Sequence, residues 1–149
     1  MLPVALLRPY CSAARRLLAA GDRAVVHKRV DAADIENFAR LTGDHNPVHS
    51  GDRPVAHGVY LAGLVSAVIG TRLPGPGTVL VSKTMRFPNA CRAGDLVRIL
   101  VEVRSVRKII KCEFRCSVGD KVVMEGSADV VVDRKGFTGD TPRRNDDET

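Results

Sequence analysis

Residues 55–73 read VAHGVYLAGLVSAVIGTRL. From Gly58 to Thr71 no residue carries a formal charge, and apolar or small side chains would fall on every side of the helix this run predicts. A helix that is apolar all round is one enclosed by protein. Gly58, Ala62, Gly63, Ser66, Ala67 and Gly70 keep its surface low, so that another element can come close. PGPG at 74–77 stops it. The run falls well short of the roughly 20 apolar residues that a membrane span requires. The rest of the chain must therefore supply the enclosure.

Downstream lie four strand-like runs: TVLVSKTMRF (78–87), LVRILVEVRSV (96–106), KIIKCEFRCSV (108–118) and VVMEGSADVVV (122–132). Alternation is clear at Val97, Ile99 and Val101, and again at Phe114, Cys116 and Val118. PNACRAGD (88–95) breaks the first pair, and VGDK (118–121) is a hairpin signal. Upstream, RAVVHKRV (23–30) suits an edge strand. DAADIENFARLTGD (31–44) then predicts a helix capped by Asp31, with Asp34 as the capping-box acid and Gly43 as its left-handed end. Ile35, Phe38, Ala39 and Leu41 form its expected apolar stripe.

Consecutive strands imply an antiparallel sheet, and one greasy helix needs that sheet wrapped around it. The expected fold is α+β, a single hot dog spanning 22–132. Residues 1–21 are set apart. They carry Arg8, Arg15 and Arg16 with no acid, the composition of a mitochondrial transit peptide, which predicts a matrix location. The tail 133–149 is polar, mixed in charge and expected to be disordered.

The net charge of +6 is concentrated in the first thirty residues, and the middle of the chain is close to neutral. With aromatic residues also scarce, nucleic-acid binding is not expected. Cys11, Cys91, Cys112 and Cys116 show no CxxC pair and read as reduced thiols of an intracellular protein.

Between the two helices runs LTGDHNPVHSGDRPVAHG (41–58), dense in acid–base residues. Asn46-Pro47 is a common turn pair, and Asp44 alone could cap it. A carboxylate and an imidazole brought together could equally move protons. Asp44, His45, His49, Asp52 and His57 match no zinc spacing.

FARLTGDHNPVH, VAHGVYLAGLVSAVIG and LPGPGTVLVSKTMRFPNACRAGDLV together resemble the MaoC-like dehydratases, or R-specific enoyl-CoA hydratases, over residues 23–132. Within that family the likeness is greatest to the mitochondrial 3-hydroxyacyl-thioester dehydratases. The resemblance implies a homodimeric hot dog that reversibly adds water to a 2-enoyl thioester carried on coenzyme A or acyl carrier protein, with no cofactor. It puts the catalytic pair at Asp44 and His49 and a backbone donor to the thioester carbonyl at Gly58. Asn46, His57 and Ser66 are the expected substrate-binding residues. Arg53, Arg72, Lys83 and Arg86 are candidates for holding coenzyme A phosphates or an acidic carrier. One departure stands out, because family members carry a longer segment where this chain has only SGDRPVA between His49 and His57. A catalytically silent acyl-thioester-binding hot dog is therefore the alternative. A hot-dog thioesterase ranks lower, since residues 58–71 contain no carboxylate to activate water.

Overall fold

A computed structural model of the chain describes residues 17–133, so most of the expected leader and almost all of the polar tail lie outside the described residues. Strand β1 (Arg23–Arg29) leads into helix α1 (Ala32–Thr42), and a single 3-10 turn (Pro47–His49) precedes helix α2 (Gly58–Thr71). Strands β2 (Thr78–Arg86), β3 (Leu96–Val106), β4 (Ile110–Val118) and β5 (Lys121–Val132) follow. They form one antiparallel sheet in the order β1-β3-β4-β5-β2. This is the expected hot dog: a five-stranded sheet around one central helix.

Alternation decides which face of the sheet meets α2. Ile110, Cys112, Phe114 and Cys116 of β4 point inward and are buried, while Lys111, Glu113 and Arg115 point outward. The β4–β5 register sets Cys116 beside Met124 and Cys112 beside Ala128, so the inner layer continues without a break. The hairpin turn needs Gly119, which takes φ +58°. Gly126 has a different reason: a β-carbon there would overlap the Thr84 carbonyl and come within 2.9 Å of the Phe114 ring. A close backbone approach of this sort is what glycine permits in a strand.

Helix α2 lies chiefly across β3 and buries Leu61, Val65, Val68 and Ile69. Each such side chain contributes roughly 1.5–3 kcal/mol of burial. Its enclosure is incomplete, however, and the sequence expectation needs correcting there. Val59, Gly63, Ser66 and Ala67 are exposed, because the sheet covers only one side of the helix.

Helix α1 ends as expected on Gly43, at φ +79° with its N–H on the Ala39 carbonyl at 2.8 Å. Ile35 and Ala39 are buried and Phe38 is half-buried. Leu41 departs from the stripe and is 83% exposed, since six residues on from Ile35 it sits roughly 120° away around the axis. The start of α1 is fastened by one carboxylate oxygen. Asp34 Oδ2 accepts from the Asp31 N–H at 3.1 Å, from Lys28 Nζ at 2.8 Å and from the Tyr60 hydroxyl at 3.2 Å, joining β1, α1 and α2. The Lys28 ammonium holds the Asp34 carboxyl below the usual carboxylate range, and burial followed by Asp34 itself pushes the Tyr60 phenol up.

This network makes a pH-dependent prediction. The folded carboxyl gives up its proton more readily than the unfolded one, so it stabilises the protein at neutral pH. That contribution fades as pH falls from about 4 through the lowered folded value. Asp34→Asn should cost about 1–2 kcal/mol at pH 7 in denaturant unfolding, and the gap to wild type should narrow steadily as pH falls below about 4. A gap that stays constant over that range would show that the charge on Asp34 is not what holds the three elements.

Candidate active site

Beyond Gly43 the backbone is folded back by its own side chains. Asp44 N–H donates to Thr42 Oγ1 at 3.2 Å, and Asn46 N–H donates to Asp44 Oδ1 at 3.2 Å. Asn46 Oδ1 accepts from the Val48 N–H at 3.4 Å, and His49 N–H closes the 3-10 turn on the Asn46 carbonyl at 2.9 Å. Asn46 and Pro47 thus form the bend, and its effect is to return His49 towards Asp44. His49 Nε2 lies 3.7 Å from Asp44 Oδ2.

The orientation of His49 follows from its other nitrogen. Nδ1 sits 2.6 Å from the Val55 carbonyl, an acceptor, so Nδ1 carries a proton and donates it there, which turns Nε2 towards Asp44. The His49 side chain is 11% exposed and that of Asp44 50%. A gap of 3.7 Å is long for a direct hydrogen bond. It suits one oxygen atom bonded to both, at about 2.8 Å from each.

Gly58 begins α2 beside this pair. First-turn N–H groups have no partner within a helix, and they sit at its positive end. Here glycine is required by packing as well, because a β-carbon would come within 2.9 Å of the Phe87 ring. Asp44, His49, His57 and Gly58 line a cavity of about 190 Å³. A second cavity of about 470 Å³ shares His49 and Gly58 and runs on past Val55, Leu61, Phe87 and Cys91. A cavity lined by acid–base side chains therefore adjoins one lined mostly by apolar side chains. Burial pushes the Cys91 thiol up to about 11, which makes it packing rather than a nucleophile.

Of the residues expected from sequence, the structure brings Asp44, His49, His57 and Gly58 together. Asn46 takes part through the backbone it bends. Ser66 lies two turns along α2, about 12 Å from Gly58 along the axis, and accepts a hydrogen bond from Lys83 Nζ at 3.2 Å instead of meeting the pair. Lys83 also donates to the Ala62 carbonyl at 2.8 Å and lies 5.0 Å from the centre of the Phe114 ring. Desolvation lowers its pKa. Arg86 pairs with Glu125 and Arg53 with Asp95, so three of the four basic candidates are already engaged. Phe87 and Cys91 were not foreseen. A Phe-Pro pair closing β2 was their one visible signal.

Asp44, His49 and His57 also offer donor atoms within 4.8 Å of one another, as a metal site would. Their orientation argues for proton transfer instead. The His49 and His57 rings are stacked, 3.6 Å apart and 23° from parallel, so their in-plane lone pairs run side by side rather than converging on an ion. One nitrogen of each ring already faces a backbone carbonyl.

Comparison with known proteins agrees with this geometry. The MaoC like domain family matches residues 18–126. A 3-hydroxybutyryl-CoA dehydratase of Methylorubrum extorquens is 42% identical over 123 residues, covering 74% of this chain and 78% of the relative. Among solved structures, the (R)-hydratase from A. caviae involved in PHA biosynthesis superimposes with a TM-score of 0.74 at 32% identity, covering 80% of this chain and all of that one. A mitochondrial 3-hydroxyacyl-[acyl-carrier-protein] dehydratase of Arabidopsis thaliana is 25% identical over 143 residues, covering 85% of each.

The contact between Gly58 and Phe87 can be tested by a double-mutant cycle. Gly58→Ala must displace the Phe87 ring, while Gly58→Ala in a Phe87→Ala background need not. Denaturant unfolding should therefore give a coupling of at least about 0.5 kcal/mol, the alanine being better tolerated when the ring is gone. Strictly additive effects would mean that the ring does not rest on the start of α2.

Proposed function

This chain belongs to the MaoC-like family and is a hydro-lyase, and we propose that it interconverts (3R)-hydroxyacyl and trans-2-enoyl thioesters. The observation that carries this reading is the placement of Asp44 Oδ2 and His49 Nε2 3.7 Å apart beside the start of α2. Water held between them donates a hydrogen to each acceptor. As its oxygen bonds to C3 of the enoyl thioester, one of the pair takes a proton and the C2–C3 double bond moves its electrons to the thioester oxygen. The Gly58 N–H stabilises that enolate, a contribution typically worth about 10²–10³ in rate. The proton then passes to C2. Dehydration retraces these steps, and the balance closes with water alone.

The mostly apolar cavity beside Leu61 and Phe87 receives the acyl chain. Coenzyme A and acyl carrier protein are both candidate carriers, and the relatives' names include each. The Arg-bearing, acid-free leader and the plant relative support a role in mitochondrial fatty-acid synthesis, in the matrix.

The active form is proposed to be a homodimer. Edge strand β1 is guarded by Arg23, Lys28 and Arg29, whereas edge strand β2 exposes Val79, Leu80, Val81 and Met85. Unpaired apolar edges invite pairing, and charged ones resist it. The open face of α2, with its small Gly63, Ser66 and Ala67, would be covered by the same contact.

Full-length protein given crotonyl-CoA should consume the enoyl absorbance. Asp44→Asn and His49→Ala should each lower kcat by at least about a hundredfold. Wild-type protein no faster than these variants would overturn the proposal and favour acyl-thioester binding without turnover.

A further inference from the structure

His57 is a buried histidine that the reaction as described does not use. It is 3% exposed, and its Nδ1 has no hydrogen-bond partner. Its Nε2 faces the backbone carbonyl of Asp44 at 3.1 Å, so that nitrogen carries the proton and donates it. One ring face stacks on His49 at 3.6 Å, and the Phe38 ring lies 4.9 Å away. A residue serving only as packing would be better apolar, because a buried polar atom without a partner costs about 1–3 kcal/mol. The cost is accepted where the other nitrogen does something that a hydrocarbon cannot. Buried unpartnered groups in native proteins call for such an explanation.

What Nε2 does is visible in what it grips. The carbonyl it holds belongs to Asp44 itself, and the ring it stacks on belongs to His49. One side chain, anchored at the residue preceding α2, thus touches both members of the pair and the helix that carries the Gly58 donor. We propose that His57 is a positioning residue: its Nε2–H fixes the Asp44 turn while its ring fixes the plane of the His49 imidazole, which together set the 3.7 Å gap that water must bridge. The proposal rests on the hydration reading of the site. It adds that Asp44 and His49 are held by a second imidazole, that of His57, which acts through them.

Two substitutions separate the contacts. His57→Phe keeps a flat ring between Phe38 and His49 but removes the donor to Asp44. His57→Gln keeps an amide donor near the place of Nε2 and loses the ring. In the full-length protein with crotonyl-CoA, His57→Phe should lower kcat by about tenfold to a hundredfold with KM within about threefold of wild type, the signature of misplaced reacting groups. His57→Gln should recover at least half of that loss on a logarithmic scale. Imidazole ¹⁵N spectra of substrate-free protein supply a readout independent of turnover. Wild type should show His49 protonated at Nδ1 and His57 at Nε2, and His57→Phe should lose the single His49 tautomer. A His57→Phe variant with wild-type kcat, or one whose kcat falls only in step with its folded fraction, overturns the proposal. If wild-type protein shows these tautomers and His57→Phe loses that of His49, but wild type has no turnover, the hydration reading fails while the positioning role stands.

Discussion

The hydrogen bond from His49 Nδ1 to the Val55 carbonyl, 2.6 Å long, is what the site depends on. It settles which nitrogen of His49 faces Asp44 and holds the ring against rotation. Val55 is itself fixed: its N–H donates to the Val48 carbonyl at 2.9 Å, and it bridges to Arg92 in the β2–β3 connection. Ala56 N–H then meets the Cys91 carbonyl at 2.8 Å. The geometry of two loop side chains is thereby tied to the sheet. A short SGDRPVA segment can hold a site in place because most of its anchors are backbone, with the Arg53–Asp95 pair added.

Helix α2 has two functions, and they make different demands on its sequence. Its inner face must be apolar to sit on β3, which Leu61, Val65, Val68 and Ile69 satisfy. In the proposed reaction its first turn presents unpaired N–H groups to a carbonyl oxygen, which favours the absence of a side chain at Gly58. A helix with its N-terminus at a cavity and its body in the core gives the donor a rigid base. That rigidity is what transition-state stabilisation by a fixed dipole requires.

Much of this was legible in the residues. Alternation at Val97, Ile99 and Val101 and the charge-free run from Gly58 to Thr71 are period signals that tertiary contacts reinforce, so element order and fold followed from them. Asp31, Asp34 and Gly43 act within a few residues of themselves, and local rules reached them. Leu41 and the open face of α2 were misread because burial depends on how far a sheet wraps, which pattern alone does not encode. Phe87 on Gly58 and Lys83 on Ser66 pair residues 29 and 17 positions apart in sequence. Nothing in either segment announces its partner. The likeness of FARLTGDHNPVH to a family pointed to Asp44 and His49 as the proposed pair, but their 3.7 Å gap and the carbonyl that faces His49 Nδ1 came from coordinates.

In the proposed reaction Asp44 and His49 share one oxygen atom while the start of α2 holds another. A crystal structure of the wild-type protein with a bound (3R)-3-hydroxybutyryl thioester measures this directly. The C3 hydroxyl oxygen should lie within about 3 Å of both Asp44 Oδ2 and His49 Nε2, and the thioester oxygen at a similar distance from the Gly58 nitrogen. A hydroxyl out of reach of either side chain, or a thioester oxygen turned away from α2, would contradict it.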